Sequence, residues 1–127
     1  MSRILLIATA LACMACAAAA AIPDSTRVRQ AFSGTIVSTY PDGRTGELWL
    51  TPGGTYTARG RRGDPSRGHW TVKGDALCLK QARPIPMLFS FCTPIPGAGL
   101  GDSWPAKAAT GEAITVRLVK GRRTVTG

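Results

Sequence analysis

The sequence predicts an all-β protein: a small antiparallel meander, closed into a barrel or stacked as a sandwich, of about seven strands with one disulfide. Three observations predict it. Short runs of alternating or β-branched residues recur along the chain, and each is closed by turn chemistry. All fifteen glycines and nine prolines fall after residue 21, too many for a helical bundle. No segment beyond that point sustains the apolar spacing of a capped helix.

The chain opens with MSRILLIATALACMACAAAAA, a basic start at Arg3 followed by an apolar run and a string of alanines. That layout is expected of a secretory signal peptide over 1–21, with small-x-small cleavage frames such as Ala19-Ala20-Ala21. Residues 22–127 then form a single secreted or periplasmic β domain, ordered over about 32–120, with no transmembrane segment after cleavage. The competing reading is a lipoprotein anchored through Cys13 or Cys16. A domain of this size buries somewhat over about 60% of its unfolded surface.

The expected strands are SGTIVSTY, TGELWL, TYTAR, GHWTV, ALCLK, LFSFCT and EAITVRLV. The intervening turns are PDGR, TPGG and KGD, and KGRR ends the last strand. Neighbouring side chains of a strand point to opposite sides, so parity assigns the faces. A two-residue Gly74-Asp75 turn, glycine first as type II′ requires, pairs Val72 with Leu77 and Trp70 with Leu79 on one face. A three-residue Pro52-Gly53-Gly54 loop sets Leu50 beside Tyr56 and Leu48 beside Ala58, leaving Glu47 and Trp49 on the other side. In the last strand Ile114, Val116 and Leu118 share the inner face. KAATGEA at 107–113 is expected as a loop leading into that strand.

Extending the second hairpin pairs Cys78 with Cys92, with the midpoint at Ile85 inside the proline-bearing stretch Arg83-Pro84-Ile85-Pro86. The same register sets Leu79 against Phe91 inside, and leaves both cysteines outside with Lys80 and Ser90. In an exported protein such a pair oxidises, and closing the loop stabilises the fold by about 3 kcal/mol. The alternatives are weaker. Redox pairs come as Cys-x-x-Cys at a helix start, and a zinc site needs more ligands than one histidine and two thiols supply.

The hairpin GHWTVKGDALCL, with Gly68, Trp70, Val72, Gly74, Asp75, Leu77 and Cys78, and Cys92 as later partner, resembles one found in small exported bacterial β-proteins of unknown function described as lipocalin-like. The resemblance covers about a quarter of the chain after the leader. It implies a fold and an export route, and carries no activity.

Candidate chemistry is sparse. His69 is the lone histidine, and if Trp70 points inward it points outward as a solvated strand residue. A Ser-His-Asp hydrolase also brings a nucleophile on a strained turn and an oxyanion hole, and nothing suggests either. The acidic residues are Asp24, Asp42, Glu47, Asp64, Asp75, Asp102 and Glu112, several in turn contexts where aspartate satisfies backbone donors. GAGLGDS at 97–103 lacks the strand, helix and lysine of a phosphate-binding loop. No cofactor, metal site or catalytic residue is assigned.

The formal net charge is +9, and Arg59, Arg61, Arg62 and Arg67 fall within nine residues of one Gly- and Pro-bearing loop. Arginines there suit phosphate or carboxylate, hence an anionic glycan, lipopolysaccharide or an acidic protein. Nucleic acid would call for exposed aromatics among the basic residues, and these are missing. The expectation is thus a non-enzymatic exported domain that binds an anionic cell-envelope component through its basic loop. The alternatives are a lipocalin-like carrier of a small apolar ligand and an inhibitor of a periplasmic hydrolase presenting the rigid loop 82–87. Bulky Trp70, Phe89, Phe91 and Tyr56 are expected to fill a small barrel and count against the carrier.

Overall fold

The computed structural model describes residues 27–96 and 99–122; the expected leader, with Cys13 and Cys16, lies outside the described residues. After a 3-10 turn at Arg29–Ser33 come β1 (Gly34–Thr39), β2 (Thr45–Leu50), β3 (Thr55–Arg59), β4 (Pro65–Lys73), β5 (Ala76–Arg83), β6 (Phe91–Pro94), β7 (Ser103–Lys107) and β8 (Ala113–Lys120). All eight belong to one antiparallel sheet in the order β6-β5-β4-β3-β2-β1-β8-β7. Sequence neighbours are spatial neighbours except β6 and β7, which form the two margins. These margins curl toward each other, and the Trp104 indole on β7 donates to the Pro94 carbonyl on β6 at 3.1 Å. The result is a nearly closed barrel rather than a sandwich of two sheets.

The hairpin registers follow turn length and face parity. Trp70 pairs with Leu79, Val72 with Leu77, Leu50 with Tyr56 and Leu48 with Ala58. Gly74 takes φ +60°, as a type II′ turn requires of its first central residue. Cys78 pairs with Cys92 and Leu79 with Phe91, and the two cysteines form the disulfide. Although Cys78 is on the outer side, it is almost fully covered.

Gly68 explains the glycine of the Gly-x-Trp hairpin. The register between β4 and β5 shifts between Arg67 and Gly68, so that Gly68 faces Gln81 while Arg67 faces Arg83. At this bulge the chains approach so closely that a Cβ on residue 68 would lie 2.1 Å from the Lys80 carbonyl oxygen. Only glycine fits.

Three expectations need correction. The run Ser103–Lys107, absent from the expected strands, is a strand. The strand expected over LFSFCT begins only at Phe91, because the segment holding Pro84 and Pro86 loops away from the sheet and leaves residues 88–90 without a partner strand. Phe89 is accordingly 81% exposed and fills nothing. The third correction, the filled interior, concerns the open end described below.

An up-and-down meander puts alternate turns at the same end. The β2–β3, β4–β5 and β6–β7 connections gather at one end, which the 3-10 turn closes. Val28 and Ala31 are buried there, and Phe32 lies 5.7 Å from Trp70, ring centre to ring centre. The Trp70 indole donates to the Thr51 carbonyl at 2.8 Å, so its polar edge is satisfied as its ring packs. Arg122 reaches back to the Phe32 carbonyl at 3.3 Å and fastens this plug from outside.

The open end of the barrel as candidate functional site

The opposite end carries the β1–β2, β3–β4, β5–β6 and β7–β8 turns, and it opens into a cavity of about 320 Å³. Register explains why the interior is full at one end and hollow at the other. Toward the closed end large inward residues meet large ones, such as Leu50 with Tyr56 and Ile36 with Leu118. Toward the open end small meets small: Ser38 faces Gly46, and Ala58 faces Ser66. The missing side-chain volume is the cavity.

Its floor is formed by Tyr56, Leu77, Trp104 and Val116, and its walls by Leu48, Leu79, Phe91 and Ile114. Phe91 therefore lines the hollow instead of filling it, and Trp70 serves the closed end. Burial raises the Tyr56 phenol pKa above its ordinary value, and the phenol, neutral near pH 7 even without that shift, can donate a hydrogen bond. Near the mouth Gln81 and Met87 join the lining, together with the charged Glu47, Arg59 and Lys107. The Met87 amide donates to the Gln81 carbonyl at 2.9 Å, and the Gln81 side chain donates to the Ile85 carbonyl at 2.9 Å. These bonds turn Met87 inward.

Charge is concentrated on the turns around the mouth. Arg61, on the β3–β4 turn, donates to Glu112 on the β7–β8 turn at 3.1 Å and stands 3.9 Å from Asp42 on the β1–β2 turn. Its guanidinium also lies 4.6 Å above the centre of the Tyr40 ring. The Glu112 carboxyl is held below the usual glutamate range, first by the Thr110 hydroxyl, then by its own backbone amide and by the charge of Arg61. Asp42 accepts from the Arg44 amide at 2.9 Å, as turn aspartates do.

Of the four arginines expected to form one loop, the structure places Arg59 at the end of β3 and Arg67 within β4, with only Arg61 and Arg62 in the turn between. Arg59, Arg61 and Arg62 line an outer groove together with Arg44 and the largely buried Glu47. Arg67 belongs to a different depression, with Arg59, Arg83, Trp49 and Pro84. Arg44 was missed in sequence because it lies fifteen residues before Arg59 and reaches the groove only through the β2–β3 pairing. His69 is exposed on the outer face, in register with Thr55 and Lys80.

Among the described residues no group of three or more histidine, cysteine or acidic side chains is placed to hold a metal ion. No helix among them is long and apolar enough to cross a membrane. No protein-family model matches the chain, and no curated protein or solved structure matches it.

Proposed function

We propose that the protein is an exported, non-enzymatic binder that takes a small apolar ligand into the open end of its barrel. The observation that carries this reading is the hollow itself. It is concave and lined mainly by aliphatic and aromatic side chains, with the buried Tyr56 phenol inside and Glu47, Arg59 and Lys107 also in its lining. Its volume of about 320 Å³ sits at the lower end of the range typical of ligand pockets, roughly 300–1,000 Å³. The aliphatic walls favour an apolar body, while Tyr56 offers orientation to a single acceptor such as a carbonyl or ether oxygen. The leader-like start and the disulfide support export.

The test is an environment-sensitive apolar fluorophore, titrated with the protein and displaced by candidate hydrophobic ligands. Saturable binding is expected, and Ala58→Phe, which refills the hollow, should weaken it at least about tenfold. Absence of binding, or binding indifferent to Ala58→Phe in a variant of native circular dichroism, would overturn the reading.

A second reading, an anionic partner such as a glycan or lipopolysaccharide met through Arg59, Arg61, Arg62 and Arg67, is favoured by one observation. Arg44, Arg59, Arg61 and Arg62 line a common groove. Weighing on the other side, Glu47 lies in that groove, and Arg61 is already engaged with Asp42 and Glu112. Heparin affinity that falls steeply with salt and is lost on replacing Arg59, Arg62 and Arg67 is the expected result for this reading.

A further inference from the structure

Beside the mouth of the hollow, the β5–β6 loop presents three large apolar side chains to water: Ile85, Leu88 and Phe89 are 72%, 86% and 81% exposed. Exposure of three large apolar side chains on one short loop is unusual for a soluble surface and marks an interaction site. The loop is built to hold this arrangement. The mutual hydrogen bonds of Gln81 with Ile85 and Met87 fix its base, and Met87 turns in as its neighbours Leu88 and Phe89 turn out.

The charges around this tip indicate what covers it. The same end of the barrel carries Arg44, Arg59, Arg61, Arg62, Arg67, Arg83 and Lys107 against Asp42, Glu47, Asp64 and Glu112. Asp42 is paired with Arg44 and Arg61, and Glu112 with Arg61. Basic side chains, Arg62, Arg67, Arg83 and Lys107 among them, thus outnumber the acidic ones at the end that holds this apolar point, on a chain of net charge +9.

We propose that the β5–β6 loop is a membrane-docking tip, which inserts Ile85, Leu88 and Phe89 among the acyl chains of an anionic lipid surface while Arg62, Arg83 and Lys107 meet the headgroups. The chemistry fits an interface, where a small apolar anchor alone binds marginally and basic side chains supply the second attachment. It fits a protein partner less well. A convex tip of three side chains falls far short of the roughly 1,000 Å² that a stable protein interface buries. Docking in this orientation would also turn the mouth of the hollow toward the lipid. The proposal does not depend on the ligand reading, since the tip can insert whether or not the hollow is used.

The experiment is flotation of the intact protein with vesicles of phosphatidylcholine alone and of phosphatidylcholine with about one third phosphatidylglycerol. Binding to the anionic vesicles is expected to exceed binding to the neutral ones about tenfold, and to weaken as salt is raised. Replacing Leu88 and Phe89 together by serine should reduce it at least about tenfold; both are exposed, so native circular dichroism should be retained. In Phe89→Trp, tryptophan emission should shift to the blue on adding anionic vesicles. Failure to float, flotation unaffected by the serine pair, or emission unmoved by vesicles overturns the proposal. So does light scattering that shows the loop already buried in a dimer which the serine pair dissociates. Fluorophore binding in the hollow, measured without vesicles, reports separately on the ligand reading.

Discussion

Arg61 and Glu112 join turns that are not sheet neighbours: their 3.1 Å contact passes from the β3–β4 turn to the β7–β8 turn across the β1–β2 turn, with the Tyr40 ring beneath the guanidinium. It is a clasp over one side of the mouth. Because the Thr110 hydroxyl first, then the Glu112 amide and Arg61, hold the Glu112 carboxyl below its ordinary range, the stability these contacts give is fully present above the usual glutamate pKa and is lost as pH falls through the lowered value. A carboxyl titration of Glu112 followed by NMR should therefore show a midpoint below that of a free glutamate. In Arg61→Ala the midpoint should rise part of the way back, since the Thr110 hydroxyl and the Glu112 amide remain.

Gly68→Ala tests the bulge. With the Lys80 carbonyl oxygen at 2.1 Å from the new methyl, and backbone rather than a flexible side chain in the way, β4 and β5 must move apart. A loss of about 2–3 kcal/mol is expected in urea denaturation, whereas Gly53→Ala, which meets nothing within 4 Å, should leave the midpoint nearly unchanged.

Replacing Cys78 and Cys92 together by serine removes a link spanning fourteen residues of sequence. The expected cost is about 3 kcal/mol, read as a lower thermal midpoint with the β-sheet circular dichroism spectrum retained. Thiol titration of the native protein should find both groups unreactive.

The plug at the closed end is tested by Val28→Ala. This side chain is wholly buried, and its truncation should cost about 1.5–3 kcal/mol. Phe32→Ala should in addition change the emission of Trp70, whose ring it covers. Neither change reaches the far hollow, so fluorophore affinity should be unaltered.

Much of the architecture was legible because hairpins are local. Loop length and alternation together pair Trp70 with Leu79 and Cys78 with Cys92, and a slip of one residue would turn every apolar side chain outward. β7 was hidden because SWPAK is short and has Pro105 in its middle, which argues against a central strand; at a margin the missing N–H is tolerated. Phe89 was misplaced because LFSF alternates like a strand, and alternation does not reveal whether a neighbour exists to pair with.

The hollow was harder to see. Ser38, Gly46, Ala58 and Ser66 are ordinary taken singly, and only their alignment at one end of four paired strands leaves a space. That signal was nonetheless available: once the registers are set, the inward residues on the same side of each hairpin can be read in rows. The groove arginines show the opposite limit. Arg59 and Arg67 are near in sequence, yet the ladder sends them to different depressions.

The gap between β6 and β7 has a consequence beyond the shape of the barrel. An unpaired margin is where a neighbouring copy can add a strand and begin a fibril, and here both margins are short and each contains a proline, Pro94 and Pro105. A backbone nitrogen without hydrogen interrupts any incoming ladder, so the protein should resist end-to-end growth even when concentrated.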